Sequence, residues 1–134
     1  MKHSQIKALL AYHTESSIFT NQSILQAVYC GVKNRPTIIL SDLKVRSLSA
    51  RNKEPYTAIF TVEYQPNEYF LELISFEKYL ASFEGLTTYL EQLTDVIYSN
   101  IFDAIKPKNL KVEQQRTTFQ GYSATIIIDS NRQG

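Results

Sequence analysis

The sequence predicts an α+β fold, an antiparallel four-stranded sheet with two helices between its second and third strands covering one face. Three observations predict it. Residues Thr57 to Tyr64 alternate, with Ala58, Phe60, Val62 and Tyr64 on one side and Ile59, Thr61 and Glu63 on the other, the period of a half-buried strand. Leu86, Leu90, Leu93, Ile97, Ile101 and Ile105 recur at helical spacing, which predicts an amphipathic helix from Thr88 to about Ala104. Two more strand patterns follow, Leu110 to about Thr118 and Tyr122 to Asp129, turning at Gln120-Gly121.

The remaining elements are placed by their punctuation. Gln65-Pro66-Asn67-Glu68 makes a turn, and the apolar run Tyr69 to Phe76 reads as the returning strand of an antiparallel hairpin. Lys106-Pro107-Lys108-Asn109 ends the long helix, because the residue before proline is driven out of the helical region. Upstream, Asn21-Gln22-Ser23 caps a short helix running through Val32, with Cys30 on its pattern, and Pro36 to Ser41 reads as a further strand.

With 134 residues, the chain is read as a single domain able to bury its own core. Hydrophobic residues at 43% and charged residues at 20% match a soluble globular protein, and no apolar run approaches the length of a membrane span. The first residues carry no signal-peptide pattern, so a cytoplasmic location is expected. A formal charge of +1 gives no general attraction to nucleic acid or anionic lipid; Lys44, Arg46, Arg51 and Lys53 read as a solvated basic loop. His3, His13 and Cys30 are too scattered for a zinc site, no disulfide can form within the chain from one cysteine, and no glycine-rich phosphate loop is present.

The segment Glu72-Leu73-Ile74-Ser75-Phe76-Glu77-Lys78-Tyr79, followed by Ser82-Phe83 and Tyr89-Leu90-Glu91, resembles the signature of the 7-cyano-7-deazaguanine reductases of queuosine biosynthesis. The likeness runs from about Asn34 to Ser130 and is densest from Pro55 to Tyr79 and at Lys106-Pro107-Lys108, leaving residues 1–33 as a poorly matched extension. It implies the tunnelling fold, in which subunits join their sheets edge to edge into a barrel. Open sheet edges give a physical reason for such joining, since unpaired edge groups must be covered or paired.

The resemblance also implies changed chemistry. Ser49 stands where the family has its nucleophilic cysteine, Tyr56 where it has a proton-donating aspartate, and Leu90 where it has a histidine. A serine hydroxyl needs a strong neighbouring base to replace a thiolate, and none is evident. The lysines that contact NADPH in the family match Ile74 and Glu77, and its Arg-Gly-Gly is reduced to Gln120-Gly121, so no cofactor is expected. What the resemblance retains is recognition of a purine, 7-deazaguanine or pterin-like ring by Glu72 and Glu91, with Tyr89 and Ser75 beside them. On the strand reading, Glu72 shares a face with Phe70, Ile74 and Phe76, where a carboxylate requires a partner. Thr88-x-x-Glu91 also reads as a capping box, and Tyr89 as a core residue.

Three functions follow: a homo-oligomeric ring-binding homologue without nitrile reduction, a non-covalent acid–base enzyme using Glu91 or Tyr56, or a structural or partner-binding subunit. Lys78, Lys106 and Lys108 are the lysines available as a base in the second.

Overall fold

A computed structural model describes residues 21–31, 33–117 and 120–132. His3 and His13, weighed above as zinc ligands, lie outside the described residues. In chain order the elements are β1 (Ala27–Tyr29), β2 (Ile38–Ser49), β3 (Pro55–Gln65), β4 (Tyr69–Leu71), α1 (Leu73–Ala81), β5 (Thr87–Thr88), α2 (Leu90–Ile105), β6 (Asn109–Thr117) and β7 (Ser123–Asp129). Short 3-10 turns occupy Asn21–Ile24 and Ser130–Arg132.

The main sheet has the order β5-β2-β3-β6-β7. Its four long strands are antiparallel neighbours, and the two-residue β5 adds in parallel beside β2. The expected four-stranded antiparallel framework with two helices between its second and third long strands is therefore present, but its first hairpin is β2–β3. The segment paired with Thr57–Tyr64 is Ile38–Arg46 rather than Tyr69–Phe76. β2 runs well beyond Ser41 because it continues through a bulge between Leu40 and Leu43, where Asp42 takes a φ of 57°.

Tyr69 to Phe76 divides into a three-residue strand and the first turn of α1. The apolar residues Phe76, Tyr79, Leu80 and Phe83 recur at i, i+3, i+4 and i+7, and this helical period overrides the local β-propensity. Tyr69–Leu71 pairs instead with β1, making a separate two-stranded sheet. The expected helix through Val32 is likewise corrected: after one 3-10 turn the chain extends into β1, and Cys30 follows that strand.

Both helices cover one sheet face. Val45, Ala58, Phe60, Val62, Tyr64, Leu110 and Val112 point from the strands into the core, and Leu93, Ile97, Ile101 and Ile105 answer from α2. The stripe read from the sequence is therefore the buried face of α2, which begins at Leu90 rather than Thr88. Lys106, in the left-handed region, closes it. α1 is tied to α2 by Asn100, whose Nδ2 donates to the Tyr79 hydroxyl at 2.7 Å, and burial raises the Tyr79 hydroxyl pKa far above its ordinary value. No helix among the described residues is long and apolar enough to cross a membrane.

Candidate functional site

The residues singled out by the sequence fall at two ends of the sheet. At one end β2 runs out at Ser49, β3 begins at Pro55, and β5 leads into α2. The backbone N–H groups of Leu48 and Ala50 donate to the carbonyls of Leu86 and Thr88, which brings Ser49, Tyr56, Thr88, Tyr89, Leu90 and Glu91 into one neighbourhood. A cleft of about 490 Å³ opens there, lined by Arg46, Ser47, Leu48, Tyr56, Glu84 and Gly85 among others.

The floor of this end is a chain of buried hydroxyls. The Tyr56 hydroxyl lies 2.8 Å from Thr88 Oγ1, Thr88 Oγ1 lies 2.8 Å from Ser47 Oγ, and Ser47 Oγ donates to the Leu86 carbonyl at 2.6 Å. The Arg116 guanidinium sits 4.3 Å from the centre of the Tyr56 ring, a cation–π arrangement. Beside it, Gln114 Nε2 donates to the Leu90 carbonyl and to Thr94 Oγ1, clamping the first turn of α2 to β6. Neither Ser47, Thr88, Gln114 nor Arg116 was singled out from the sequence as a site residue. Only their positions on inward-facing strand registers could have indicated them.

Ser49 Oγ accepts the Arg51 N–H at 3.3 Å within the turn that joins β2 to β3. Leu90 is half-buried against the core, as its apolar character dictates. Tyr89 is 60% exposed, so its expected core role is corrected; preceding α2 in extended conformation, it points outward. The capping box also differs from expectation. Thr88 is a strand residue whose hydroxyl belongs to the buried chain, the Gln92 side chain accepts the Tyr89 N–H, and Glu91 is left exposed in the first turn.

At the other end β3 stops at Gln65 and the chain returns through β4 into α1. The Tyr64 hydroxyl accepts the Leu71 N–H at 3.0 Å, and burial raises its pKa. Glu72 is not on a strand face among apolar residues. It is the N-cap of α1, its carboxylate accepting the N–H groups of Ile74 at 2.8 Å and Ser75 at 2.7 Å. Those backbone donors hold its pKa below the ordinary carboxylate value. Ser75 is buried, donating to the Glu72 carbonyl and accepting the Gln26 N–H, so its hydroxyl is used within the fold. Leu73 and Ile74 are exposed beside Glu72.

The two ends are far apart. Tyr56 and Tyr64 are eight residue steps apart along β3, about 26 Å at roughly 3.3 Å per step. Within one chain Glu72 and Glu91 therefore do not face each other. The basic residues Lys44 and Arg46 are exposed on β2, while Arg51 and Lys53 flank the turn after it, so the expected basic loop is half strand.

A mixed sheet with two helices on one face, and polar clusters at both ends, defines a small α+β protein. The chain belongs to the QueF-like protein family, whose model matches residues 55–133. It is 26% identical over 90 residues to an NADPH-dependent 7-cyano-7-deazaguanine reductase of Chloroherpeton thalassium, covering 67% of this chain and 78% of that protein. Its fold is similar to that of an archaeosine synthase, QueF-Like, solved in the apo form: the TM-score is 0.68 at 21% identity, covering 76% of this chain and all of that one.

Proposed function

We propose that this chain is a ring-binding homologue of the deazaguanine reductases that does not reduce a nitrile, and that its ligand is a purine, 7-deazaguanine or pterin-like heterocycle. The observation that carries this reading is the retained architecture around substituted chemistry. Ser49 Oγ accepts the Arg51 N–H, and among the described residues no base is hydrogen-bonded to it to activate it. Tyr56 is bound into the buried hydroxyl chain, and Leu90 brings no titratable group. Glu91, by contrast, is exposed in the first turn of α2, and Glu72, half-buried at the head of α1, keeps carboxylate lone pairs beyond the two N–H groups it caps, so both carboxylates can accept ring N–H and amine donors.

The ends of the sheet lie too far apart for one ring to touch both glutamates of a single chain. Joint recognition therefore calls for two protomers, the Glu72 end of one against the Glu91 end of another, as edge-to-edge joining of tunnelling-fold sheets into a barrel would provide. The exposed Leu73 and Ile74 beside Glu72, and the edge strand β7 with Ile127 40% exposed, favour such an assembly. NADPH does not fit the corresponding surface: Ile74 offers no cation and Glu77 opposes a phosphate.

Thermal unfolding with guanine, 7-deazaguanine, a pterin and NADPH tests this, because a ligand that binds only the folded state raises the midpoint. A shift with a ring and none with NADPH is expected. No shift with any ring would overturn the reading, and light scattering that finds only monomer would overturn the shared pocket.

A further inference from the structure

The short strand β1 has an open edge, and the register of its paired side fixes what that edge can do. The Cys30 N–H donates to the Glu68 carbonyl at 2.6 Å, and the Glu72 N–H to the Gln26 carbonyl at 3.0 Å. Ala27, Val28 and Tyr29 stand opposite Leu71, Phe70 and Tyr69. Those bonds therefore make Val28 and Phe70 a hydrogen-bonded pair and turn the N–H and C=O groups of Ala27 and Tyr29 away from β4. Among the described residues no other strand lies beside β1, and all three of its residues are exposed. The Tyr29 ring meets Tyr69 of β4 edge-on, with centroids 6.2 Å apart, and so leaves the outer edge uncovered. Open edges are ordinarily guarded by charge, proline or a bulge. The run Gln26-Ala27-Val28-Tyr29-Cys30-Gly31 holds no charged residue and no proline, and its register on β4 is unbroken.

The order of residues in β1 makes this edge complementary to itself. A twofold axis at Val28 sets Ala27 of each copy opposite Tyr29 of the other. Both pairs are then hydrogen-bonded, so every outward N–H and C=O of the two strands is used. Each Tyr29 ring lies beside a small Ala27 side chain, which avoids setting ring against ring. The two Val28 side chains meet at the axis as a non-hydrogen-bonded pair, the closer kind. The cross-strand rows run Phe70, Val28, Val28, Phe70 and Tyr69, Tyr29, Ala27, Leu71, and neither contains a charge. Tyr29 at 70% and Tyr69 at 40% exposure supply apolar surface for the joint to cover.

We propose that β1 is a docking edge for a second copy of this chain, pairing antiparallel about a twofold axis at Val28 to give a continuous sheet β4-β1-β1-β4. The contact is isologous, so it closes after one pairing. It is separate from the edge-to-edge joining of the main sheets and from the ring site, and it doubles whatever assembly those sheets form.

Two measurements on the full chain test it. In a Cys30→Ser background, Val28→Cys should give a disulfide-linked dimer under mild oxidation with diamide, because the axis brings that position of both copies together. Ala27→Cys and Tyr29→Cys, which face each other rather than themselves, should each stay unlinked. Linking at Ala27 or Tyr29 in place of Val28 would overturn the register and the proposal with it. In light scattering, Val28→Lys and Val28→Glu should each halve the particle mass, since like charges then meet at the axis, and an equal mixture of the two should regain it. A mass unchanged in both variants, or not regained on mixing, would overturn the pairing. Neither readout involves a heterocycle, so the ring-binding reading stands or falls by its thermal shifts alone.

Discussion

The two ends of β3 carry tyrosines on the same face of the same strand, yet they are used in opposite ways. The Tyr56 hydroxyl meets a side chain, Thr88, at the end of a chain of hydroxyls whose inner member, Ser47, donates to the Leu86 carbonyl. Tyr64 receives a proton from the backbone, the Leu71 N–H, where the chain turns into α1. The first arrangement fixes side chains around a cleft; the second fixes the path of the backbone that delivers Glu72. The difference teaches that a common strand alternation buries both rings, while the element facing each hydroxyl decides what the residue does.

The largest effect should come from the residue common to both ends. Phe60 lies midway between the tyrosines and is fully buried beneath the helices. Phe60→Ala removes a ring that the core cannot refill, at a cost of about 3–5 kcal/mol. Denaturant unfolding should show that loss as one transition. A loss confined to one end, with the other retaining its hydrogen-exchange protection, would break the view of the ends as parts of one core.

Next come the tyrosines themselves, which should separate the two uses. Tyr64→Phe keeps the ring but strands a buried backbone N–H, at about 1–3 kcal/mol. Because Ser47 donates its one proton to the Leu86 carbonyl, Thr88 must donate to Ser47 and Tyr56 to Thr88, so Tyr56→Phe orphans no donor and the cost is smaller, about 0.5–1.5 kcal/mol. The cation–π contact with Arg116 survives, since Phe keeps the ring. If Tyr56→Phe proves the more destabilising in denaturant titrations, the orphaned-donor argument fails.

The ends also differ in how well the sequence announces them. The alternation of Ala58, Phe60, Val62 and Tyr64 has its physical counterpart in four inward side chains, and the α2 stripe in Leu93, Ile97, Ile101 and Ile105. The Tyr56 end was only partly legible. Its likeness to the reductases indicated Ser49, Tyr56 and Leu90, but Thr88 and Ser47 gain meaning from the parallel pairing of β5 with β2, a contact between distant segments that no local pattern encodes. The Glu72 end was misread because Tyr69 to Phe76 is dense in strand-forming residues. A signal was present, however. Glu72 and Ser75 stand three apart at the head of the Phe76-Tyr79-Leu80-Phe83 period, the spacing of a helix N-terminus, and the structure uses both residues as a cap.

That cap supplies the smallest predicted effect and the sharpest difference between the ends, because it responds to acid. Glu72 is half-buried, and its pKa is lowered chiefly by the Ile74 and Ser75 N–H groups, which favour the carboxylate. A carboxyl group whose folded pKa is depressed contributes stability above its ordinary pKa of 4.5 and loses that contribution as pH falls through the folded value. Glu72→Gln retains an acceptor oxygen for one N–H but removes the charge, so the variant should melt slightly lower at pH 7. The gap should close as the pH is taken well below 4.5, where the native glutamate is itself protonated. Tyr56→Phe, whose lost contact involves neutral hydroxyls, should show a gap that does not move over the same range. Parallel thermal melts from pH 7 downward check this. A Glu72→Gln gap that persists in acid would mean that the carboxylate's charge contributes nothing to the head of α1, and that Glu72 is held there by shape alone.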